Sequence, residues 1–125
     1  MAKADKRRRT ARLPAEILAA VRAAADKKAV DLRVLDLRDA AGFTDYFVVC
    51  SGTSGRQARA IADGILSALG GESVKPAHIE GYDRSEWILI DYFDFIVHIF
   101  VPETRAFYDL ERLWGQAERV DDSDL

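Results

Sequence analysis

Residues 87–101 read WILIDYFDFIVHIFV, and this stretch decides the fold of the chain. The pattern predicts two β-strands joined by a tight turn at Tyr92, Phe93 and Asp94. A strand with one solvated face alternates apolar and polar side chains, and these two strands hardly alternate. Both faces of the predicted hairpin therefore need cover. Either helices lie on both faces of the sheet, or another chain covers one of them.

The two faces of the hairpin carry different sets of side chains. In the first strand Trp87, Leu89 and Asp91 point to one side, and Ile88 and Ile90 point to the other. The second strand divides in the same way into two sets, Phe95, Val97, Ile99 and Val101 against Ile96, His98 and Phe100. The apolar neighbours of His98 on its face favour a core or interface histidine over a metal ligand.

Length and composition are those of one ordinary globular domain. The chain has 125 residues, of which 49% are apolar and 10% are aromatic. No apolar run approaches the ~18 residues that a membrane-spanning helix needs, so no membrane contact is expected. The single cysteine, Cys50, rules out an internal disulfide and fits a reducing cytosol, so we expect a cytoplasmic protein.

The net charge of −3 conceals a strong asymmetry along the chain. Residues 1–13 form a basic arm with a single acidic residue, Asp5, and residues 116–125 form an acidic tail. The six basic residues of the arm are Lys3, Lys6, Arg7, Arg8, Arg9 and Arg12. Such an arm either contacts nucleic-acid phosphates, with little sequence preference, or is a solvated leader.

Between the arm and the tail, residues 14–115 form one predicted domain. Pro14 suits the first turn of a helix, and Gly70 with Gly71 suits the end of another. Apolar spacing predicts helices near residues 14–28, 61–69 and 102–114, and strands near residues 32–37, 46–50, 75–79, 87–91 and 95–101. The order α-β-β-α-β-β-β-α predicts the α/β class, with a mixed sheet of about five strands and flanking helices.

The residues that usually carry catalysis are few and scattered. His78, His98 and Cys50 are too far apart in the sequence to make a metal constellation. Nothing near Cys50 in the sequence activates it, so a buried thiol is the favoured interpretation. Asp91 and Asp94 flank a turn and do not make a convincing carboxylate pair for two metal ions. We therefore expect no enzyme, no cofactor and no metal.

The loop SGTSGR, residues 51–56, stands between a predicted strand and a predicted helix. Backbone donors and the helix dipole attract anions at such a place, so Thr53, Ser54 and Arg56 are candidate anion-binding residues. The spacing of Ser54 and Gln57 is also that of a capping box, in which both residues satisfy donors at a helix start. The capping box is the favoured interpretation.

Several separated segments resemble those of one protein family, the ribosomal silencing factors, also called the Iojap-like family. These segments are TDYFVV (44–49), SGTSGRQ (51–57), EGY (80–82), WILIDY (87–92), VHIF (97–100) and FYDLERLW (107–114). They occur in the expected order and cover roughly residues 15–114. Phe93 departs from the pattern, because the family commonly has glycine at this turn position, and the basic arm precedes the shared region.

The resemblance implies a protein that acts by occupying a surface. Members of this family bind the large ribosomal subunit, through its fourteenth protein, on the face that meets the small subunit. The bound factor sterically blocks subunit association and so represses translation under nutrient limitation. The family fold is similar to that of nucleotidyltransferases without their catalytic carboxylates, and members are often dimers. The resemblance therefore implies a nucleotidyltransferase-like fold and a homodimer here.

On this basis we predict that Trp87, Leu89 and Asp91 contact the ribosomal partner. Trp87 would be an aromatic anchor, and Asp91 would accept hydrogen bonds from basic groups of the partner. Tyr82, near the same hairpin, is a weaker candidate. The alternative for Trp87 is a position in the core of its own chain.

Two other hypotheses compete with silencing. One is a nucleotidyltransferase-like enzyme that binds nucleotide and Mg²⁺ at residues 52–56. The other is a dimeric adaptor that uses its apolar face for self-association. Tyr108, Leu110 and Trp114 either cover the sheet or form a dimer contact, and the sequence alone leaves both open.

Overall fold

The computed structural model describes residues 13–40, 42–113 and 118–119. The described helices are α1 (Ala15–Asp26), α2 (Gly55–Gly71), α3 (Pro102–Tyr108) and α4 (Leu110–Leu113). The described strands are β1 (Val30–Asp36), β2 (Tyr46–Ser51), β3 (His78–Glu80), β4 (Trp87–Asp91), β5 (Phe95–Phe100) and β6 (Glu118–Arg119). Most of the predicted basic arm and acidic tail, and Trp114, lie outside the described residues. Within the described residues, no helix combines the length and apolarity that crossing a membrane requires.

The strands form one mixed sheet in the order β3-β4-β5-β2-β1-β6. β2 and β5 run parallel at its centre, and the other neighbouring strands are antiparallel. The predicted α/β class, with a mixed sheet and flanking helices, is confirmed. Strands form at four of the five predicted places, and the third lies at His78–Glu80 instead of residues 75–79. The described residues add the two-residue strand β6, which lies in the stretch predicted as a tail. β6 pairs with Leu35 and Asp36 of β1.

One face of the sheet, called the covered face below, packs against both long helices. α1 and α2 bury one apolar stripe each, in keeping with the helical spacing that predicted them. Ile17 of α1 and Ile61 of α2 belong to the same buried cluster as Ile88, Ile90 and the inner side chains of β2 and β5. This is the main core of the protein.

The opposite face, called the open face below, carries a smaller cluster. Its buried members are Leu35, Leu37, Phe47, Val49 and Phe100. Trp87, Ile96 and Leu110 are partly buried against this cluster. Both long helices, α1 and α2, lie on the covered face, so the long helices do not cover both faces of the sheet.

The final helical segment differs from the single helix predicted for residues 102–114. Asp109 adopts a left-handed conformation, with φ 49° and ψ 54°, and ends α3. α4 starts at the next residue, Leu110. The break lets Tyr108 and Leu110 both reach the open face, so these two residues cover part of the sheet.

Candidate protein-binding face

The predicted contact residues of β4 lie together on the open face. Trp87, Leu89 and Asp91 are half-buried, whereas Ile88 and Ile90 between them are fully buried in the main core. Strand periodicity explains this alternation, because successive side chains point to opposite faces of the sheet. The structure thus brings together three of the four predicted partner-binding residues.

The indole of Trp87 is packed within its own chain and still presents part of its surface. Its ring centroid lies 5.0 Å from that of Phe100 and 4.6 Å from that of Tyr108. Its Nε1–H donates a hydrogen bond to Nδ1 of His98 at 3.1 Å. Trp87 therefore has a fixed orientation and is partly buried within its own chain, while its role as an anchor for a partner stays a prediction.

His98 is the buried support of this arrangement, with 4% of its surface exposed. Burial lowers the pKa of its imidazole to about 4, so the ring is neutral near pH 7. Because Nδ1 accepts the bond from Trp87, the proton of the neutral ring lies on Nε2. Nε2 is buried without a hydrogen-bond partner in the described structure. The predicted core position of His98 is confirmed, although its Nε2 lacks the hydrogen-bond partner that a satisfied core histidine has.

Aromatic rings continue on both sides of Trp87 along the open face. Neighbouring ring centroids in this row lie 4.5 to 6.1 Å apart. The row runs through Phe43, Phe47, His98, Trp87, Tyr108 and Phe107. Its two ends are solvent-exposed, with 59% of Phe43 and 79% of Phe107 accessible. Sequence reasoning missed both ends, because their only sequence signal is an aromatic residue in a loop or short helix.

Asp91 already has a structural task at the end of β4. Its Oδ1 accepts a hydrogen bond from the backbone N–H of Phe93 at 2.7 Å, which holds the turn before β5. An aspartate that bonds the backbone two residues further on is a common turn device. Any contact of Asp91 with a partner is therefore made by a carboxylate whose orientation is set.

Tyr82 lies on the other side of the sheet from Trp87. It packs against the main core, and its hydroxyl donates to the carboxylate of Asp63 on α2, at 2.9 and 3.1 Å from the two oxygens. This hydrogen bond raises the pKa of the Tyr82 phenol. The structure does not bring Tyr82 together with the other three predicted contact residues.

The loop before α2 has the geometry of a helix cap. Ser54 Oγ accepts the backbone N–H of Gln57 at 3.2 Å, as the capping box predicts. Gln57 Oε1 reaches back to the backbone N–H of Thr53 at 2.6 Å, one residue earlier than in the standard box. The cap occupies two of the donors that an anion would use. Anion binding by Thr53, Ser54 and Arg56 stays a prediction.

The ionisable side chains of Cys50 on β2 and Asp36 on β1 are both buried. Cys50 is fully buried, as predicted, and burial raises the pKa of its thiol to about 12. Asp36 forms an ion pair with Arg38 at 2.6 Å. The described residues contain no group of three or more His, Cys, Asp and Glu side chains placed to hold a metal ion.

The fold and the open face together define a small α/β domain that presents a partly exposed aromatic surface. Residues 10–125 match the family model described as "Ribosomal silencing factor during starvation". The chain belongs to this family, as its sequence motifs predicted. The family name supports a ribosome-associated silencing role and indicates a regulatory factor.

Two curated relatives and one solved structure illustrate the relationship. Ribosomal silencing factor RsfS of Halalkalibacterium halodurans is 37% identical over 102 residues, which cover 82% of this chain and 87% of that protein. Mitochondrial assembly of ribosomal large subunit protein 1 of Mus musculus is 35% identical over 91 residues, 70% of this chain and 40% of that protein. A crystal structure of a protein from Chromobacterium violaceum aligns with a TM-score of 0.78 at 33% identity, covering 80% of this chain and 83% of that one. The predicted likeness to nucleotidyltransferases stays a prediction.

Proposed function

We propose that this protein binds the large ribosomal subunit through its fourteenth protein and sterically blocks association with the small subunit. Translation is thereby repressed under nutrient limitation. The observation that carries the proposal is the open face, where Trp87 and Leu89 remain partly exposed on a sheet whose long helices lie on the other side. Family membership supplies the ribosome as the place of action.

The open face has the physical features of a protein-binding surface. Trp87 is a large aromatic side chain held by Phe100, Tyr108 and His98, so little rotational freedom is lost when a partner packs on it. Tryptophan is among the residues most enriched at binding hot spots. Leu89 adds apolar area beside it, between Trp87 and the acidic end of the strand.

Charge supports a basic partner. Asp91 ends β4 on the open face, and Asp94 follows in the exposed turn. No lysine or arginine occurs between residues 85 and 104, the segment that forms the β4–β5 hairpin. Acidic groups beside an apolar patch steer the approach of a basic surface and fix its orientation. Blocking by occupancy needs no catalytic group, which agrees with the buried Cys50 and the paired Asp36.

For assembly and location, we propose a cytoplasmic homodimer whose basic arm, residues 1–13, contacts ribosomal RNA. The charge of the arm supports the RNA contact, because phosphate binding by Lys and Arg depends little on sequence. The salt dependence of ribosome binding, measured with the full chain and with a chain lacking residues 1–12, tests this contact.

Co-sedimentation with separated ribosomal subunits tests the central proposal. The protein is expected to pellet with the large subunit alone and to reduce joining of the two subunits. Leu89→Ala should weaken binding, because Leu89 lies on the open face. Ile79→Ala is the matched control, since Ile79 pairs with Ile90 on β4 and is 39% exposed away from the open face. Equal binding to both subunits, or to neither, would overturn the proposal.

A further inference from the structure

The tip of the β4–β5 hairpin is an unusual turn centred on Phe93. Phe93 has φ 71°, and the backbone N–H of Asp94 donates to the carbonyl oxygen of Tyr92 at 2.9 Å. A hydrogen bond between residues i+2 and i across a positive φ marks the rare, strained form of the γ-turn. Glycine adopts this conformation without a steric penalty, whereas a bulky aromatic residue there is an outlier.

Neighbouring groups hold this strained turn in place. The backbone N–H of Phe93 donates to Asp91 Oδ1 at 2.7 Å, and its carbonyl oxygen accepts the hydroxyl of Thr44 at 2.8 Å. The backbone N–H of Asp45 donates to the carbonyl oxygen of Asp94 at 3.0 Å. Strained conformations persist where the surroundings determine them in this way, and they cluster at functional sites.

The side chain of Phe93 contributes little stability to offset the strain of its backbone. It is 72% exposed, so its burial adds little to stability. The adjacent Tyr92 and Phe95 rings stack on each other at 4.9 Å. A strained backbone that presents a large apolar ring to solvent points to a contact outside the chain.

We propose that Phe93 is a contact residue for the ribosomal partner and extends the open face past the end of β4. This inference rests on the proposed function. Continuity with the open face supports it, because the carboxylate of Asp91 is bonded directly to the backbone of Phe93. The ring is presented on a fixed turn, so little conformational entropy is lost on binding.

The surroundings of Phe93 also specify the chemistry of its partner. Asp91 and Asp94 flank it in sequence, and Asp45 is bonded to the same turn through its backbone. An apolar ring among three acidic residues fits an apolar depression bordered by Lys or Arg side chains. The partner surface is therefore the basic protein face proposed above, contacted at one more point.

Phe93→Gly distinguishes an effect on folding from an effect on binding, because stability and affinity should respond in opposite directions. Glycine relieves the positive φ, so the melting temperature should stay the same or rise by a few degrees. Affinity for isolated large subunits should fall roughly tenfold, as expected for loss of an aromatic hot-spot residue. Phe93→Tyr should keep wild-type affinity, because it retains the ring.

Ser73→Gly is the matched control for strain relief alone. Ser73 also has a positive φ, 62°, and follows the end of α2, far in sequence from the hairpin. This variant should gain stability without losing affinity. If Phe93→Gly binds large subunits as tightly as the wild type, the inference is wrong while the proposed function stands. If the wild-type protein itself does not bind large subunits, both fall together.

Discussion

Trp87 on the open face and His98 beneath it are joined by a 3.1 Å hydrogen bond from the indole Nε1–H to Nδ1 of the imidazole. The bond crosses from β4 to β5. It links the partly exposed Trp87, the proposed anchor, to a buried ring whose Nδ1 accepts a hydrogen bond only when the ring is neutral. The orientation of the proposed binding surface therefore depends on the protonation state of a group inside the protein.

Acid should destabilise the protein through His98. Burial lowers its pKa from 6.5 to about 4, so the unfolded chain binds the proton more readily than the folded one. The free energy of unfolding carries no penalty from His98 above pH 6.5. It falls by roughly 3 kcal/mol in all as the pH drops from 6.5 to about 4. Urea unfolding at several pH values between 7.5 and 4 measures this loss.

His98→Phe is the control for the acid effect. Phenylalanine keeps an aromatic ring at this position and cannot be protonated, so the loss of unfolding free energy across this pH range should be smaller by the His98 contribution. A variant that loses stability with acid as steeply as the wild type would assign the effect to carboxylates instead.

Trp87→Ala should lower both affinity and stability. An interface residue with no role in the core would lose binding on truncation with an unchanged melting temperature. The contacts of Trp87 with Phe100, Tyr108 and His98 change that expectation. Removing a packed aromatic side chain typically costs about 3 kcal/mol or more, and somewhat less where the ring is half-exposed. Chemical unfolding and large-subunit binding should be measured on the same preparation.

Trp87→Phe distinguishes the two losses. It retains an aromatic ring over Phe100 but loses the hydrogen bond to His98 and part of the exposed area. Stability should fall by about 1 to 3 kcal/mol, because the buried Nδ1 of His98 loses its donor, and affinity should fall as well. Wild-type affinity in this variant would argue against Trp87 as an anchor.

Gly81→Ala should prevent normal folding of the segment between β3 and β4. Gly81 has φ 77°, and a Cβ at this position would lie 1.9 Å from the carbonyl oxygen of Trp87. The backbone must move to accept any side chain, so we expect a loss of several kcal/mol in unfolding free energy. Thermal unfolding measures it.

Gly70→Ala is the matched substitution for that experiment. Gly70 lies within α2, and a Cβ there would meet no other atom within 4 Å. Alanine should stabilise the helix by up to about 1 kcal/mol. Similar effects of the two substitutions would contradict the close approach at Gly81.

Arg105 should stabilise the attachment of α3 and α4 to the sheet. Its Nε donates to Glu111 Oε1 at 3.0 Å, and its Nη1 donates to Ser51 Oγ at 2.9 Å. The side chain is only 12% exposed, so Arg105→Met removes a part-buried ion pair with Glu111 and the hydrogen bond to Ser51, and should cost about 2 kcal/mol. Arg112→Met, at an exposed site on α4, should cost less than 0.5 kcal/mol by the usual behaviour of surface substitutions. Equal losses in urea unfolding would show that the network contributes nothing.

The sequence predicted those features that depend on local spacing. The period of two in β4 placed Trp87, Leu89 and Asp91 on one face, and the Ser54–Gln57 spacing predicted the cap of α2. Features that depend on distant contacts were not predictable. Nothing near Tyr82 in the sequence shows that its hydroxyl reaches Asp63 on α2.

Local signals also failed where two tendencies competed. The apolar spacing of residues 102–114 favours one helix, and Asp109 ends α3 because aspartate tolerates the left-handed conformation. Phe43 and Phe107 join the aromatic row only after β2 pairs with β5 and α3 docks near β4. Their positions follow from tertiary structure alone.

The parallel pairing of β2 with β5 has a consequence for the synthesis of the protein. Tyr46 pairs with Phe95 and Ser51 with Phe100, so the centre of the sheet joins segments that are far apart in the sequence, with β3 and β4 between them. Such non-local pairing forms slowly, and it cannot begin until the second strand has been translated. A nascent chain that stops before Phe100 therefore lacks both the complete β2–β5 pairing and the Phe100 ring on which Trp87 packs. We expect this protein to acquire its proposed ribosome-binding surface only after Phe100 has been translated.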